Sequence, residues 1–214
     1  AGVTPATVIC EILKDNGEMA RLPDLMEFAK QHGLKIGTIA DLIHYRSRTE
    51  SLVQRASERD IETVHGNFRL IVYSDKIAQA THLALVKGEI KPDSVALVRV
   101  HHPLTILDLL DAGSDRHTWN INQALAAVSR AECGVIVLLY QPESAAELLA
   151  HAQPGVSRVP QKNALRTYGI GAQILRDLKV VKMRLLAQPR RMPSMAGFGL
   201  QVADFLQPEK GRKP

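Results

Sequence analysis

Hydrophobic and polar positions in the middle of the chain follow the two-residue period of strands. The segments IETVHG, NFRLIVYSD and ATHLALVKGEI, between residues 61 and 90, alternate or run apolar, and Gly66-Asn67 and Ser74-Asp75 separate them. Short apolar segments with turn residues between them are typical of consecutive antiparallel strands. The pattern therefore predicts an antiparallel meander from residue 61 to residue 90.

Downstream of the meander, strand and helix patterns take turns. SVALVRVHH predicts a central strand, Thr118–Ala131 a helix, and CGVIVLLY a buried strand parallel to the first, which together make a βαβ unit. Asn163–Arg176 has apolar residues at helical spacing, and Val180–Leu186 and LQVADFL predict two more strands. The predicted fold class is α/β, bordering on α+β, with a mixed sheet in which helices flank the βαβ layer.

The first 60 residues have a different pattern. AGVTPATVICEIL predicts a strand, Asn16-Gly17 a hairpin turn, and Pro23–His32 a helix, with a short strand in LKIGTI and a second helix from Asp41 to about Arg55. Residues 51–60 are rich in charge and are interpreted as a solvated, helical linker. The predicted organisation is a first piece over 1–50, this linker, a domain over 61–207 and a disordered tail over 208–214.

Two glycines lie inside the helix predicted over Asn163–Arg176. Gly169 and Gly171 each cost about 1 kcal/mol relative to alanine in a helix interior. Something must therefore approach the backbone closely at this point. Either a neighbouring element or a ligand fits that requirement.

Composition and charge exclude several classes of function. The net charge is +5, but no run of five or more basic residues occurs, so we expect no nucleic-acid partner. Cys10 and Cys133 lie in apolar runs and predict buried free thiols in a reducing cytosol, and without a Cys-x-x-Cys motif there is no thiolate zinc site. We expect a cytoplasmic protein without a membrane partner, since no signal peptide or long apolar span occurs.

Several motifs in the second part of the chain carry a resemblance. RTYGIGAQIL, then MRLL, PRR and GFGLQV, resemble the C-terminal part of GTP cyclohydrolase II, and HGNFRLIVYSD with THLALVKGEI resembles the opening of that domain. The resemblance implies a GTP cyclohydrolase II-like fold. That family holds a catalytic zinc ion with three cysteines.

The positions that match those cysteines are Leu104, His117 and Trp119. Leucine and tryptophan cannot ligate zinc, and one histidine does not make a site that needs three protein ligands. Adjacent histidines on a strand point to opposite faces, so His101, His102 and His117 make a poor substitute. We expect no metal site and no cofactor in this chain.

Other residues of the family site are kept only in part. The resemblance places the family's nucleophilic arginine at Arg166 and its proton-accepting aspartate at Ala164. Its phosphate-contacting arginine matches Arg99, its guanine-reading glutamine falls near Asn122, and a lysine position falls on Arg191. The nucleotide-gripping loop is replaced by a short helix predicted over Ser144–Ala152, so we expect Arg166 to be inactive.

A second resemblance covers residues 4–46, TPATVICEILKDNGEMARLPDLMEFAKQHGLKIGTIADLIHYR. This segment is similar to the last stretch of 3,4-dihydroxy-2-butanone 4-phosphate synthase, a lyase that converts ribulose 5-phosphate. The resemblance implies that Glu11 contacts substrate in that family, while its magnesium ligands lie upstream of the matching segment. We expect magnesium only in the missing synthase part, and an exposed, inactive Glu11 here.

Three functions follow from these resemblances. The first is a regulatory or anion-binding module, in which Arg99, Arg166, Arg190 and Arg191 hold a phosphate or nucleotide, attached to its own synthase domain. The second is a structural module that supports oligomerisation, for instance as a homodimer. The third is a residual GTP cyclohydrolase II, the least favoured because its zinc ligands are lost.

Overall fold

The structure is a computed structural model that describes residues 4, 6–76, 79–103, 105–109, 117–140, 142–153, 164–189 and 194–208. The backbone divides into two compact units, Ala1–Leu42 and Ile43–Pro214. Among the described residues, no helix is both long enough and apolar enough to cross a membrane. The helices and strands, in chain order, are α1 (Leu22–Gln31), α2 (Ile39–Thr49), β1 (Val53–Thr63), β2 (Gly66–Asp75), β3 (Ala80–Lys87), β4 (Val95–His101), a 3-10 helix (Ile106–Leu109), α3 (Ile121–Ser129), β5 (Gly134–Leu138), α4 (Ala145–Ala152), α5 (Ala164–Asp177), β6 (Lys182–Leu186), α6 (Ser194–Gly197) and β7 (Gln201–Leu206).

The first unit contains one well-defined helix. Proline stands in the first turn of α1, and Asp24 accepts a hydrogen bond from the Arg21 N–H at 2.8 Å, so the helix start is capped. The predicted turn at Asn16-Gly17 is confirmed, because Gly17 has φ +83° and Leu13 pairs with Met19 in an antiparallel bridge.

The strands predicted around this helix are wrong. The described residues before Leu13 form no strand, and residues 34–38 have no regular structure. A strand requires a hydrogen-bonded partner, and the Leu13–Met19 bridge is the only β-bridge within the described part of this unit. Cys10 is exposed, contrary to expectation, whereas Cys133 is buried as predicted.

The second unit is built on a seven-stranded sheet in the order β1-β2-β3-β5-β4-β6-β7. β1, β2, β3 and β5 pair antiparallel, which confirms the meander. β4 pairs in parallel with both β5 and β6, and β6 in parallel with β7. The predicted mixed α/β fold, including the βαβ unit of β4, α3 and β5, is confirmed.

Residues 51–60 are not a helical linker. α2 ends at Thr49 and β1 begins at Val53, so most of the segment belongs to a strand that pairs with β2 over its whole length. β1 is the outermost strand and is exposed along most of its length, which is why its sequence lacks an apolar face. The tail predicted over 208–214 lies outside the described residues apart from Pro208.

Each face of the sheet is covered by a helix. Ile170, Ile174 and Leu175 of α5 are buried with strand residues such as Ile71 and Val98 in the larger core. On the other face, residues of α3 and of the strands together form the smaller core. α3 begins at a capping box in which Asn120 accepts from the Gln123 N–H and Gln123 accepts from the Asn120 N–H.

Packing against a neighbouring element explains Gly171 of α5 but not Gly169. A Cβ at Gly171 would lie 3.2 Å from Val100 Cγ1 of β4, whereas a Cβ at Gly169 would meet its nearest atom, Phe198 Cζ, at 3.9 Å. The close approach at Gly171 therefore involves a strand of the same sheet.

The chain between α2 and β1 is fixed to α5 by one side chain. Gln173 is 5% exposed, and its amide oxygen accepts a hydrogen bond from the Leu52 N–H at 2.8 Å. Its amide nitrogen donates to the Glu50 carbonyl at 3.2 Å. The entry into β1 is therefore part of the core of this unit.

Candidate functional site

The candidate site lies where the parallel strands end. In sheets of this kind, ligands bind beyond the carboxyl ends of parallel strands, because the loops that follow those strands meet there. β4 ends at His101 and β6 at Leu186. Arg99 and His101 contact the segment 117–120, and His117 of that segment contacts Asp108 in the segment 105–109. Polar side chains are buried at this edge, namely Arg99, His101, Thr105, Asp108 and Asn120.

Arg99 reaches two carbonyl groups of the fold. Its Nη1 donates to the Leu186 carbonyl at 2.8 Å, and its Nη2 donates to the Trp119 carbonyl at 2.9 Å. The side chain is 9% exposed, so both hydrogen bonds form away from solvent. The guanidinium therefore connects β4 to the end of β6 and to the segment before α3.

Two histidines and an aspartate form a buried cluster beside Arg99. His117 Nε2 lies 3.0 Å from Asp108 Oδ2, and the His117 ring contacts the His101 ring with centroids 4.4 Å apart. Burial, together with the neighbouring His117 and Arg99, lowers the pKa of His101 to about 3. His101 is therefore neutral at physiological pH, and its pairing with His117 carries no charge repulsion of its own.

A second polar network lies around Glu143, just before α4. Its carboxylate accepts hydrogen bonds from the Ile106 N–H at 2.7 Å and the Thr105 hydroxyl at 2.9 Å, and it lies 3.2 Å from His151 Nδ1. Burial favours the neutral acid, but these three contacts outweigh it and hold the pKa of Glu143 below its ordinary value. The start of α4, predicted from Ser144, is thus tied to the 3-10 helix.

The residues predicted to form the site are only partly brought together. Arg99 lies at this edge, and Asn122 is half-buried in the first turn of α3. Arg166 lies in the first turn of α5, but its side chain is outside the described residues, as are Arg190 and Arg191 entirely. Glu11 is an exposed carboxylate in the first unit.

The sequence does not predict the pairing of Asp108 with His117. Nine positions separate the two residues, and no helix or strand period connects that spacing. Glu143 gave only the signal of a residue just before a predicted helix. Neither side chain could be paired with its partner before the path of the loops was known.

Two of the three positions that match the family's zinc ligands, His117 and Trp119, make other contacts in the described structure. His117 lies on Asp108, and the Trp119 indole N–H donates to the Leu206 carbonyl at 2.8 Å, while Leu104 lies outside the described residues. No group of three or more histidine, cysteine, aspartate or glutamate side chains is arranged to hold a metal ion within the described ranges.

A seven-stranded mixed sheet, with a buried polar cluster at the carboxyl end of β4, defines this unit as an α/β domain. Residues 54–207 match the family model of GTP cyclohydrolase II, and residues 1–45 match that of 3,4-dihydroxy-2-butanone 4-phosphate synthase. The chain belongs to the GTP cyclohydrolase II family and carries a synthase segment before that domain.

Two named proteins are similar to this chain over nearly its whole length. A 3,4-dihydroxy-2-butanone 4-phosphate synthase of Neisseria meningitidis serogroup B is 48% identical over 209 residues, which are 98% of this chain and 57% of that protein. The riboflavin biosynthesis protein RibBA of Aquifex aeolicus is 41% identical over 95% of this chain and 54% of its own length. The chain thus spans little more than half the length of these relatives.

A solved structure is similar over most of the chain. The crystal structure of RibBX, described as a two-domain 3,4-dihydroxy-2-butanone 4-phosphate synthase from A. baumannii, has a TM-score of 0.58 and 39% sequence identity. The similarity covers 93% of this chain and 53% of that one. The fold class predicted from the sequence is therefore shared with that protein.

Proposed function

We propose that the domain over residues 43–214 is a non-catalytic GTP cyclohydrolase II-like module that serves a 3,4-dihydroxy-2-butanone 4-phosphate synthase. The observation that carries this proposal is the chemistry of the three zinc-ligand positions. Leu104 and Trp119 offer no metal-binding atom, and the indole N–H of Trp119 is engaged with a backbone carbonyl. These residues do not fit a zinc ion.

Hydrolysis of a purine ring needs a strong nucleophile at neutral pH. In this family a zinc-bound water supplies it, because the metal lowers the pKa of that water. The side chains at the family's metal positions cannot hold that ion, and the position of the proton-accepting aspartate is Ala164. Arg166 therefore lacks the groups it would work with.

The burial of Arg99 favours structural support over anion binding at this edge. An arginine that binds phosphate directs its N–H groups toward the ligand, whereas the two terminal nitrogens of Arg99 donate to Leu186 and Trp119 carbonyls. A regulatory anion site would have to rest on Arg166, Arg190 and Arg191. Both versions remain non-catalytic, and they differ in whether a phosphate compound binds.

The partner of this module in our proposal is its own synthase domain. Val8 is 94% exposed and Ile9 is 89% exposed in the first unit, and further apolar side chains of α1 and α2 are also exposed. Exposed apolar groups on this scale are usually covered by another protein surface. The rest of a synthase domain fits, with the magnesium-dependent conversion of ribulose 5-phosphate to dihydroxybutanone phosphate and formate taking place there.

Activity assays with GTP test the proposal directly. The purified chain, supplied with zinc, is expected to leave GTP unchanged and to release no formate. Zinc-dependent turnover of GTP that is lost in His117→Gln would overturn it.

Two further experiments separate the regulatory version from the structural one. Calorimetric titration with GTP, ribulose 5-phosphate and riboflavin 5′-phosphate is expected to give no heat if the module is structural, and binding of any of them supports regulation. In the longer protein, deletion of residues 51–214 removes the whole sheet of the module and leaves α2 intact. A changed oligomeric state after that deletion supports a structural role, and an unchanged state together with unchanged turnover would exclude it.

A further inference from the structure

Side chains join two segments of the second unit, which contain the positions that match the family's zinc ligands. One segment follows β4 and includes Asp108, and the other precedes α3 and includes His117. Asp108 Oδ2 and His117 Nε2 are 3.0 Å apart, and the two side chains are 2% and 14% exposed. The contact is therefore a shielded hydrogen bond between a carboxylate and an imidazole.

Neighbouring groups hold the second segment on further sides. The His101 ring, which is fully buried, contacts the His117 ring at a centroid distance of 4.4 Å. Arg99 donates to the Trp119 carbonyl, and the Trp119 indole donates to the Leu206 carbonyl of β7. Each of these contacts ends on the segment 117–120, so the segment is fixed to β4 and to β7 as well as to Asp108.

We propose that the Asp108–His117 pair, supported by His101 and Arg99, takes the place of the zinc ion as the cross-link between these two segments. This proposal rests on the proposed function in one respect, namely that the domain holds no zinc at this position. A cross-link by side chains needs no metal during folding, so the domain should reach and keep its fold without one. We name the pair the Asp108–His117 clasp.

Direct coordination of a metal by the same residues is the competing explanation. His117 Nε2 is already engaged by a carboxylate, and no three-residue group arranged to hold a metal is found in the described structure. His101 Nε2 is buried without a hydrogen-bond partner among the described residues. A metal ion at this place would therefore need His101 Nε2 as a ligand. The clasp accounts for the contacts of His117 without that rearrangement.

The test measures thermal unfolding of the purified chain with a strong chelator, without additions, and with added zinc. The midpoint is expected to be the same within about 1 °C in all three conditions, whereas loss of a structural zinc usually abolishes folding. Asp108→Asn and His117→Gln are each expected to lower the midpoint by roughly 3–8 °C. The double variant should lose less than the sum of the two, because both changes remove the same contact.

His65→Gln is the matched control, since His65 lies in the turn between β1 and β2, away from the clasp. A midpoint that falls by more than about 3 °C with chelator, or stoichiometric zinc that disappears in His117→Gln, would show a metal site and overturn the clasp. A His117→Gln midpoint equal to that of His65→Gln would also overturn it. GTP turnover by a chelated protein would refute the proposed function while leaving the clasp intact.

Discussion

Replacing Arg99 by methionine gives the sharpest test of its role, because methionine keeps the length of the side chain and removes every donor. The Leu186 and Trp119 carbonyls would each lose a charged partner. A hydrogen bond to a charged group contributes about 1.5–3 kcal/mol, and methionine recovers part of the cost of burying a guanidinium. We expect Arg99→Met to lower the free energy of unfolding by about 2–4 kcal/mol.

Urea unfolding followed by circular dichroism measures this loss, with differential scanning calorimetry as a second probe. For a chain of this size the melting midpoint should fall by about 2–4 °C for each kcal/mol. Arg69→Met is the control, because the Arg69 side chain is 48% exposed and its ion pair with Glu58, at 3.4 Å, lies on the surface. Its effect should stay within about 0.5 kcal/mol. Arg99→Lys, which keeps the charge but loses the fork, should fall between the two.

If Arg99→Met lowers the free energy of unfolding by less than about 0.5 kcal/mol, Arg99 does not stabilise the fold through the two carbonyls, because buried carbonyls cannot lose charged donors without cost. If the same variant instead kept its stability and lost affinity for a phosphate compound, Arg99 would be a ligand-binding residue after all. The two hypotheses about Arg99 therefore predict opposite patterns of stability and binding.

Three other contacts give predictions of their own. Gly169→Ala should raise the free energy of unfolding by about 0.5–1 kcal/mol, since alanine favours a helix. Gly171→Ala should be less stable in urea than Gly169→Ala, because a Cβ at position 171 would meet a β4 side chain at 3.2 Å. Gln173→Leu should lower that free energy by about 1–3 kcal/mol and speed hydrogen exchange of the Leu52 amide, measured by mass spectrometry. The pKa of His101 is about 3 in the folded protein, so below pH 6.5 the unfolded chain binds a proton at His101 that the folded chain does not bind. The free energy of unfolding should therefore fall by about 1.4 kcal/mol per pH unit below about pH 6.5. In His101→Leu, this contribution to the difference in unfolding free energy between pH 7 and pH 5 should disappear.

The sheet was predictable because most of its strands are buried on both faces or alternate clearly. β2 and β3 contribute apolar residues to the core on each face of the sheet. CGVIVLLY has the unbroken apolar run that is typical of a central strand. β1 failed this test because an edge strand needs no apolar face, and its pairing with β2 defines it instead. The segment TPATVICEIL failed in the opposite way, because its apolar residues have no strand partner in the described part of the first unit.

The candidate site was harder to predict than the fold. The family resemblance selected Arg99 as a candidate, but it could not reveal that Arg99 donates to the Leu186 and Trp119 carbonyls. Those carbonyls come from the end of β6 and from the segment before α3, so their meeting depends on tertiary packing. Sequence spacing reports on neighbours within one helix or strand and is silent about such convergence.

The order of the strands has a consequence for how this domain folds during synthesis. β1, β2 and β3 are consecutive neighbours and can pair as soon as they are made, whereas the partner of Val95 in β4 is Lys182 in β6. Pairing across so long a stretch of chain is slow, since the intervening loop must close first. Until β6 is synthesised, one edge of β4 stays unpaired beside an apolar face, and unpaired edges of this kind promote aggregation with other chains. Chaperones that bind nascent chains would be needed most between the synthesis of β5 and that of β6.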